Sequence, residues 1–426
     1  MDRKKILWLS HLVPYPPKAG VLLRTYNLVK ELACHHDVYL LSFVQENMVR
    51  PYFPSLEQGL AEAQKELSQF CRHVEFLPIP SETQTLGKYR LALKSLFTPH
   101  PYNLNWLKSV AFHQRAAELM VAHQIDAVHF DTISLCVFDQ ATGSAPMLLD
   151  HHNIESHMLF RRASNEKNLL KKAYFWQEAV KLARYEKNYC KKATLNITCS
   201  DIDTRRLKQL IQQDNVKTVP NGVDVEFFKP DETVSKKPLN FIFIGTLDWY
   251  PNTEAVLFIA NKLWPLLKAK YPSATVDIVG SKPPAELVAF AEKEPGFTVH
   301  GFVDDIFPVF NQAQIYLCPI MDGGGTKLKV LDALSMKMPV IAHTLACEGI
   351  EVSDGENVLL ANTAEQYMQQ IERLLADKPF EKTLANNARQ LAQDKYSFAS
   401  IGEQYAQYIN EVTGYLYNVW TIRIYR

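Results

Sequence analysis

Three consecutive glycines, Gly323-Gly324-Gly325, followed by Thr326 and Lys327, suit the binding of an anion more directly than any other segment of this 426-residue chain. A glycine run costs backbone entropy on folding, so an ordinary turn has no need of one. Apolar residues recur at helical spacing from Leu328 onward. That spacing puts the run at a helix N-terminus, where unpaired N–H groups and the helix dipole attract negative charge. We expect Thr326 to cap this helix and Lys327 to add a positive charge, so that the segment binds a diphosphate; a plain flexible turn is the alternative.

Other residues of the chain suit contact with a sugar. Asp332, on the same predicted helix, carries a carboxylate that can accept hydrogen bonds from two vicinal ribose hydroxyls, although a solvated carboxylate is the simpler interpretation. His152 and Asn153 follow the predicted strand Met147–Asp150. An imidazole there can donate to a sugar hydroxyl or share a developing charge, and a buried structural histidine fits equally well. Gly20 ends a proline-rich loop where a phosphate or sugar can approach the backbone, or where an ordinary turn lies.

The segment 161–192 is strongly basic, and Tyr174, Phe175, Trp176 and Tyr185 are interleaved with its basic residues. Such a surface can contact anionic lipid headgroups or an acidic acceptor, so we expect a peripheral membrane contact as one use of it. A solvated helix face is the more common origin of a charge run. The basic residues are Arg161, Arg162, Lys167, Lys171, Lys172, Lys181, Arg184, Lys187, Lys191 and Lys192.

Alternating strands and helices must position these groups. Strand–helix alternation requires crossover connections and therefore predicts α/β architecture, with parallel sheets covered by helices on both faces. The segment 219–237 interrupts the alternation and is interpreted as the linker between two doubly wound domains. We expect one long helix over 154–192 and another over 253–267, which Pro265 kinks or ends. The predicted strands are Ile6–Ser10, Val38–Val44, Ala127–Phe130, Met147–Asp150, Thr194–Cys199, Phe241–Ile244, Thr275–Val279, Thr298–His300, Ile315–Pro319 and Val340–Ala342.

Composition excludes several function classes. Lys and Arg (46) balance Asp and Glu (46), so no global positive field marks a nucleic-acid-binding protein. No apolar run approaches the length of a membrane span, and the apolar start is too short for a signal peptide. Seven cysteines include no C-x-x-C pair, which disfavours a zinc site or a disulfide framework and fits a reducing cytoplasm. We expect a cytoplasmic protein, at most peripheral at the inner face of the membrane, with no metal and no cofactor.

An ordered set of segments across nearly the whole chain resembles one known family. The chain is similar to a family-4 type glycosyltransferase of the GT-B fold. Segments 247–252 and 323–331 look most like a branch assigned to bacterial exopolysaccharide sugar transfer. The matching segments are Trp8–Arg24, Asp126–His129, His152-Asn153, Val219–Asp224, Phe243–Gly245, Asp277–Gly280, Val299–Val303 and Gly323–Ile341.

The resemblance implies two Rossmann-like domains facing a cleft. Residues 1–222 would form the acceptor-side domain and residues 223–395 the nucleotide-sugar domain, with the C-terminal helix 396–426 crossing back to the first. The donor would be a UDP- or GDP-linked sugar, and the acceptor a saccharide or a lipid-linked molecule.

The resemblance also implies roles for individual residues. Gly20 would lie near the donor phosphates and His152 near the donor sugar, while Asp332 matches the ribose-binding second acid of the family's E-x7-E motif. Arg24 and Asn153 are predicted acceptor contacts. The remaining predicted donor contacts are Gly245, Asp248, Gly301, Phe302, Val303, Gly323, Gly324, Gly325, Thr326, Lys327 and Leu328, among which Gly301, Phe302 and Val303 would meet the base.

Two positions depart from the family pattern. The first glutamate of E-x7-E falls on Gly324, and Asp322 or Asp248 is a candidate replacement. The Arg and Lys that clamp the diphosphate in many members are not evident after Gly245. We therefore predict that Lys327 takes over the phosphate role.

These residues together predict a glycosyltransferase of bacterial polysaccharide or glycoconjugate biosynthesis. Backbone N–H groups, a helix N-terminus and Lys327 can stabilise the leaving diphosphate without a metal, with His152 as the second catalytic residue. The resemblance implies retention of the anomeric configuration. One alternative is a GT-B nucleotide-sugar epimerase, which needs acid/base carboxylates that the sequence does not assign. The other alternative is a non-catalytic partner subunit that binds a sugar nucleotide. The presence of Gly324 in place of the first motif glutamate favours it.

Overall fold

Two parallel sheets, each in its own unit, organise the chain in the computed structural model, which describes residues 3–18, 20–82, 87–323 and 325–424. Unit 1 comprises the residues up to Pro220 together with those from Ile401 onward, and unit 2 comprises Asn221–Ser400. The sequence placed these divisions at 222/223 and 395/396. The small difference has a local origin, because Val223 pairs with Ser397 in a short parallel bridge inside unit 2.

The strands are short and mostly fully buried, as expected for parallel sheets covered on both faces. They are β1 Lys5–Ser10, β2 Asp37–Val44, β3 His73–Pro78, β4 Ala127–Phe130, β5 Met147–His151, β6 Leu195–Thr198, β7 Val216–Thr218, β8 Asn240–Ile244, β9 Thr275–Val279, β10 Phe297–Gly301, β11 Ile315–Cys318, β12 Val340–Ala342 and β13 Leu359–Leu360. Every strand predicted from the sequence is present. The sequence missed β3, β7 and β13, and two of these have only three or two residues.

Helices connect the strands in both units. They are α1 Gly20–His35, α2 Glu46–Val49, α3 Leu56–Leu67, α4 Gly87–Leu96, α5 Tyr102–Leu107, α6 Val110–His123, α7 Glu155–Asn165, α8 Leu169–Lys192, α9 Asp201–Ile211, α10 Tyr250–Phe258, α11 Trp264–Lys270, α12 Ala285–Ala291, α13 Phe307–Gln312, α14 Leu328–Ser335, α15 Ala364–Ala376, α16 Lys378–Tyr396 and α17 Phe398–Ile424. Shorter helical turns cover Arg50–Tyr52, Ile133–Thr142, Ile259–Leu263 and Thr344–Cys347.

Two helix predictions need comment. The single helix expected over 154–192 was wrong, because the chain breaks between α7 and α8 and the Asn168 side chain accepts hydrogen bonds from the N–H groups of Leu170 and Lys171. The helix expected to kink or end at Pro265 continues to Lys270, and its irregular turn lies before the proline. A wide helical turn over Ile259–Leu263 separates α10 from α11, and Pro265 lies in the first turn of α11, where a missing N–H costs nothing.

The order of strands determines which loops are neighbours. In unit 1 the order is β3-β2-β1-β4-β5-β6-β7, and in unit 2 it is β10-β9-β8-β11-β12-β13. In both sheets the order reverses beside the first strand, between β1 and β4 and between β8 and β11. Ligands of open α/β sheets bind beyond the carboxyl ends of strands at such a reversal.

The predicted linker is mostly part of unit 2. The Arg389 guanidinium donates to the carbonyls of Val225 (2.9 Å) and Phe228 (2.8 Å), and the N–H of Lys237 donates to the carbonyl of Gln312 at 2.7 Å. Interpreting all of 219–237 as a linker was therefore wrong, since its proline-rich composition reflects an irregular segment that packs against a domain.

The C-terminal helix α17 belongs largely to unit 1. Ile401, Tyr405 and Ile409 are fully buried in a core that also contains Trp8 of β1. No helix in the described part of the chain is both long enough and apolar enough to cross a membrane.

Candidate functional site

A cluster of polar side chains lies at the carboxyl ends of β1, β4 and β5 in unit 1. Asp131, which follows β4, is completely buried at its centre. Its carboxylate accepts hydrogen bonds from Ser10 Oγ at 2.9 Å, Thr25 Oγ1 at 3.2 Å and His152 Nε2 at 3.2 Å. The His11 Nδ1 atom lies 3.5 Å from the same carboxylate. One buried carboxylate therefore organises the residues that follow three strands.

The electrostatics of this cluster favour a charged histidine. Burial alone would raise the pKa of Asp131, but the charges and hydrogen bonds of His152 and His11 outweigh it and hold that pKa far below its usual range. Burial also opposes protonation of His152, yet the Asp131 carboxylate raises the net pKa of the imidazole above its ordinary value. His152 is half-buried, with 17% of its side chain exposed, so an ionised aspartate supports a partly accessible imidazolium.

Arg24, predicted as an acceptor contact, lies in the core of unit 1. Its guanidinium is 3% exposed and forms two hydrogen bonds with Asp150, at 3.0 and 3.2 Å. It also donates to the carbonyls of Val219 (2.8 Å) and Pro220 (3.1 Å). These contacts make Arg24 a structural residue, and the acceptor role predicted for it does not agree with its burial. Asn153 is half-buried beside His152, and its acceptor contact stays a prediction.

A second buried histidine, His129, completes the cluster and was not singled out from the sequence. Its ring stacks on Trp8 with 3.4 Å between centroids, and its Nδ1 atom lies 2.5 Å from the Tyr405 hydroxyl of α17. Burial lowers the pKa of His129 to about 4, so this imidazole is neutral near pH 7. His151 points elsewhere, since its Nε2 atom lies 3.2 Å from Asn196 Oδ1 in the core.

Within the described residues, His129, Asp131 and Asp150 have donor atoms close enough together to hold a metal ion. Both carboxylates already have cationic partners, because Arg24 binds Asp150 and His152 binds Asp131. A divalent cation would have to displace those partners, so the arrangement fits an ion-paired cluster better than a metal centre.

In unit 2 the carboxyl edge of the sheet has glycines at three strand ends, so the backbone there carries no side chains. Gly245, Gly280 and Gly301 lie at the ends of the neighbouring strands β8, β9 and β10. The N–H of Gly280 donates to the carbonyl of Gly301 at 2.9 Å. A Cβ atom on Gly280 would lie 1.8 Å from the carbonyl oxygen of Gly245, so only glycine allows these strands to end so close together.

The glycine loop that precedes α14 meets the loop after β8. Gly323 has a φ of +98°, and a Cβ atom placed on it would lie 3.2 Å from Pro251 Cγ and 3.4 Å from the Trp249 ring. The predicted donor contacts at Gly245, Gly323, Gly325 and Leu328 thus belong to adjoining loops at one sheet edge, while Gly324 lies outside the described residues.

Lys327 is turned inward to its own loop. Its side chain is buried, and its Nζ atom donates to the carbonyls of Gly323 at 2.7 Å and Gly325 at 2.9 Å. These bonds fix the shape of the glycine loop. Its predicted contact with a diphosphate stays a prediction, and the structure assigns the amine a loop-organising role first.

Thr326 does not cap α14, in contrast to the prediction. Lys327 occupies the N-cap position without a side-chain cap bond. The Thr326 hydroxyl oxygen is buried, and no described residue forms a hydrogen bond with it. The loop therefore contains a polar atom directed inward and unsatisfied, next to the unpaired N–H groups of the helix start.

Two titratable side chains of α14 have pKa values shifted toward neutrality. Burial raises the pKa of Asp332 to about 7, against the opposing charge of Lys329. Burial lowers the pKa of Lys329 to about 8. The Lys329 ammonium donates to Asn252 Oδ1, and Asn252 Nδ2 donates to the carbonyl of Thr246 at 2.7 Å. The sequence did not single out Lys329, which lies only two residues beyond Lys327.

The remaining predicted donor residues lie at the same carboxyl edge of the sheet. Phe302, directly after β10, has 74% of its surface exposed, whereas Val303 packs partly against the unit-2 core. Asp248 is exposed and forms an ion pair with Lys282 at 2.7 Å. The roles predicted for these residues stay predictions.

Comparison with known proteins agrees with this architecture. The model for "Glycosyltransferase Family 4" matches residues 20–227, and the model for "Glycosyl transferases group 1" matches residues 238–377. A Klebsiella pneumoniae protein described as an uncharacterized 44.6 kDa protein in a cps region is 22% identical, over 92% of this chain and 96% of the relative.

Solved structures show the same fold. Sucrose-phosphate synthase from Thermosynechococcus elongatus superposes with a TM-score of 0.64 at 16% identity, covering 97% of this chain and 100% of that one. Anabaena HepE in complex with UDP gives a TM-score of 0.61 at 15% identity, covering 96% and 100%. Two parallel α/β units of this kind form the GT-B fold. Because glycosyltransferase family models match residues 20–227 and 238–377, the chain is a glycosyltransferase of the family-4 type.

Proposed function

We propose that this glycosyltransferase moves a hexosyl residue from a UDP- or GDP-linked donor to a saccharide or lipid-linked acceptor in the synthesis of a bacterial polysaccharide or glycoconjugate. The observation that carries the proposal is the carboxyl edge of the unit-2 sheet. At this edge, the glycines at the ends of three neighbouring strands lie beside the glycine loop and the N-terminus of α14. Bare backbone and a helix start suit a diphosphate, and Asp332 on the same helix suits a ribose.

The comparisons support the donor class and the pathway. The solved HepE complexes contain UDP, or UDP with glucose, on the same fold. The Klebsiella pneumoniae relative is described as lying in a cps region, which agrees with a role in surface polysaccharide synthesis.

We further propose a retaining, metal-independent reaction. As the bond between sugar and phosphate breaks, negative charge grows on the diphosphate and the sugar becomes oxocarbenium-like. The α14 N-terminus and the loop backbone of unit 2 stabilise the leaving group electrostatically. In unit 1, Asp131 holds His152 as an imidazolium whose Nε2–H is engaged, which leaves Nδ1–H to donate to a hydroxyl of the donor sugar.

A panel of UDP- and GDP-linked sugars, incubated with the protein and candidate acceptors, tests the function. Acceptor-dependent release of nucleoside diphosphate together with a glycosylated acceptor is the expected result. Conversion of the nucleotide sugar into an isomer would instead support the epimerase alternative. The anomeric configuration of the product, determined by NMR, tests retention, and an excess of EDTA that leaves turnover unchanged is expected for metal independence.

We also propose that the hairpin of α7 and α8 contacts an anionic membrane surface. Large apolar side chains are exposed here next to basic ones: Leu169 and Leu170 are 79% and 85% exposed, and Trp176 is 59% exposed. The C-terminal end of α4 adjoins α8, since Gln177 donates to the carbonyl of Leu96. This end adds Phe97, which is 85% exposed. An apolar patch beside lysines and arginines is the combination that binds headgroups.

Lys181 is not part of this surface, contrary to the prediction from the sequence. Only 12% of its side chain is exposed, and its ammonium pairs with Glu178 at 3.2 Å and donates to the carbonyl of Ser95 at 2.6 Å. Charge reversal at Lys181 would disturb the fold, so it is unsuitable as a test of membrane binding.

The double variant K171E/K172E tests the membrane contact. In cosedimentation with vesicles of phosphatidylcholine and phosphatidylglycerol, we expect binding to fall by about 30-fold or more, because each of the two basic residues contributes about 1 kcal/mol near an anionic surface and about 1.4 kcal/mol corresponds to a factor of ten. The matched control K293E/K382E reverses two exposed lysines of unit 2 and should bind as the wild type does. Equal pelleting of all three proteins would contradict the proposal.

A further inference from the structure

The family pattern expects an arginine and a lysine after Gly245 to clamp the donor diphosphate, and the chain has Thr246-Leu247-Asp248-Trp249 instead. We propose that the Lys329 ammonium, reaching back from the first turn of α14 to the carboxyl end of β8, supplies this missing clamp and binds the donor diphosphate. The inference rests on the proposed donor class and assigns the charge to a residue that lies 84 positions later in the chain than Gly245.

The position of the amine supports this assignment. A Cβ atom on Gly245 would lie 2.5 Å from Lys329 Nζ and 3.0 Å from Asn252 Nδ2. The ammonium therefore occupies the space into which a side chain at position 245, directly after β8, would project. It also lies 5.1 Å from the centre of the Phe243 ring, whose face favours a cation. A side chain from α14 thus places a positive charge at the loop after β8, whose residues 246–249 include no lysine or arginine.

The amine forms no close ion pair with a described residue, and the nearby Asp332 offsets only part of the effect of burial on the pKa of Lys329. Among the residues that the structure describes, Lys329 forms no ion pair with a carboxylate, and its hydrogen bond is to the neutral amide of Asn252. An ammonium offers three donors, and a desolvated one without a counter-ion is costly. A diphosphate would supply both the counter-charge and the missing acceptors.

Lys327 and Lys329 then have different roles in the site. Lys327 Nζ is occupied by the carbonyls of Gly323 and Gly325 and holds the loop in shape. Residues two apart on a helix do not share a face, so the second lysine can reach a different partner. The charge for the ligand comes from Lys329, and the shape of the loop comes from Lys327.

A purely structural alternative exists, in which Lys329 only ties α14 to α10 through Asn252. The two interpretations differ in what N252A does. If Lys329 is a structural tie, N252A and K329M should lower thermal stability equally and weaken ligand binding equally. If Lys329 binds the diphosphate, K329M should weaken binding much more than N252A, which leaves the ammonium in place.

Calorimetric titration with UDP and GDP tests the inference, using whichever nucleotide the wild-type protein binds. We expect K329M to weaken the nucleoside diphosphate about 10- to 100-fold, K329R to recover part of the loss, and N252A to change it less than about threefold. The phosphate-free nucleoside, measured by ligand-observed NMR, should bind wild type and K329M alike. Equal affinity of K329M and wild type for the diphosphate would overturn the inference.

Proton uptake on nucleotide binding distinguishes the two interpretations, because a lysine with only a structural role would not change its protonation when the nucleotide binds. The titratable groups that act on Lys329 are Lys327 and Asp332, near it on the same segment, and Cys318 of β11. At pH 8, close to the lowered pKa of Lys329 at about 8, anion binding should draw in about half a proton per nucleotide. The uptake, measured in buffers of different ionisation enthalpy, should vanish in K329M and persist in N252A, which keeps the ammonium in place.

The outcomes separate the inference from the proposed function. If neither UDP nor GDP binds the wild-type protein, the proposed donor class fails. If one of them binds and K329M binds it equally well with the same proton uptake, the donor class stands and only the role of Lys329 is wrong.

Discussion

Asp131 in unit 1 and Asp332 in unit 2 both lie at the carboxyl edge of a parallel sheet, and their surroundings shift their acidity in opposite directions. Asp131 is ionised because side chains from β1, α1 and the loop after β5 donate to it. Burial raises the pKa of Asp332 to about 7, and no described side chain donates a hydrogen bond to its carboxylate. The Asp131 carboxylate therefore has its hydrogen-bond donors without a ligand, whereas the Asp332 carboxylate has none among the described side chains.

The contrast explains how the two units contribute differently. Unit 1 offers a preorganised charge, since the Asp131 network fixes His152 before any substrate arrives. Unit 2 offers glycine backbone, the unsatisfied Thr326 hydroxyl and Lys329, which forms no close ion pair within the described part of the chain, and we propose that a nucleoside diphosphate satisfies them. We therefore expect stability to depend more on the polar residues of unit 1, and ligand affinity more on those of unit 2.

The largest expected effect comes from breaking the buried ion pair of unit 1. Arg24→Met leaves the Asp150 carboxylate buried without its counter-ion and removes the hydrogen bonds to Val219 and Pro220. We expect the free energy of unfolding to fall by about 3–5 kcal/mol in chemical denaturation. The control Lys282→Met breaks the exposed pair with Asp248 in unit 2 and should leave the unfolding midpoint nearly unchanged. Equal stability of both variants would contradict the contrast.

The next effect concerns turnover. Asp131→Asn removes the charge that keeps His152 protonated, so we expect kcat to fall about 100-fold while the KM for the donor changes little. The pH profile gives the sharper test. A raised pKa keeps the imidazolium populated below it, so wild-type activity should decline as the pH rises through that pKa. In Asp131→Asn the decline should move to lower pH, and an unmoved alkaline limb would exclude His152 from this role.

The smallest effect separates the two aspartates by their linkage to pH. Burial raises the folded pKa of Asp332 to about 7, above its ordinary value, so wild-type stability should fall as the pH rises from about 4 to about 7. Asp332→Asn should remove this slope, so that its stability relative to wild type increases from pH 4 to pH 8. Thermal unfolding over this range measures the difference. If Asp332→Asn shows no gain in stability over wild type, the Asp332 carboxylate is already solvated or paired.

Much of the fold follows from local sequence pattern. Central strands such as β1 and β8 are buried on both faces and stand out as apolar runs bounded by polar residues. Edge strand β3 is only partly buried, and β7 and β13 are too short to show a pattern. The break between α7 and α8 depends on one capping asparagine, which hydrophobic periodicity does not reveal.

The sequence singled out residues whose signal is local, and their roles stay predictions. The glycine loop precedes α14, His152 follows β5, and Asp332 lies one turn into α14. Asp131 and Lys329 were missed, because their partners Ser10 and Asn252 lie 121 and 77 residues away in the chain and are brought close only by the order of the strands. The position of Asp131 directly after β4 was the signal that could have identified it.

A crystal structure with the bound nucleoside diphosphate, UDP or GDP, tests the central claim most directly. The account predicts that the diphosphate lies at the carboxyl edge of the unit-2 sheet, on the glycine loop and the first turn of α14, within hydrogen-bond distance of Lys329 Nζ, with the ribose hydroxyls at Asp332. A nucleotide bound in unit 1, or on unit 2 away from the glycine loop, would contradict it.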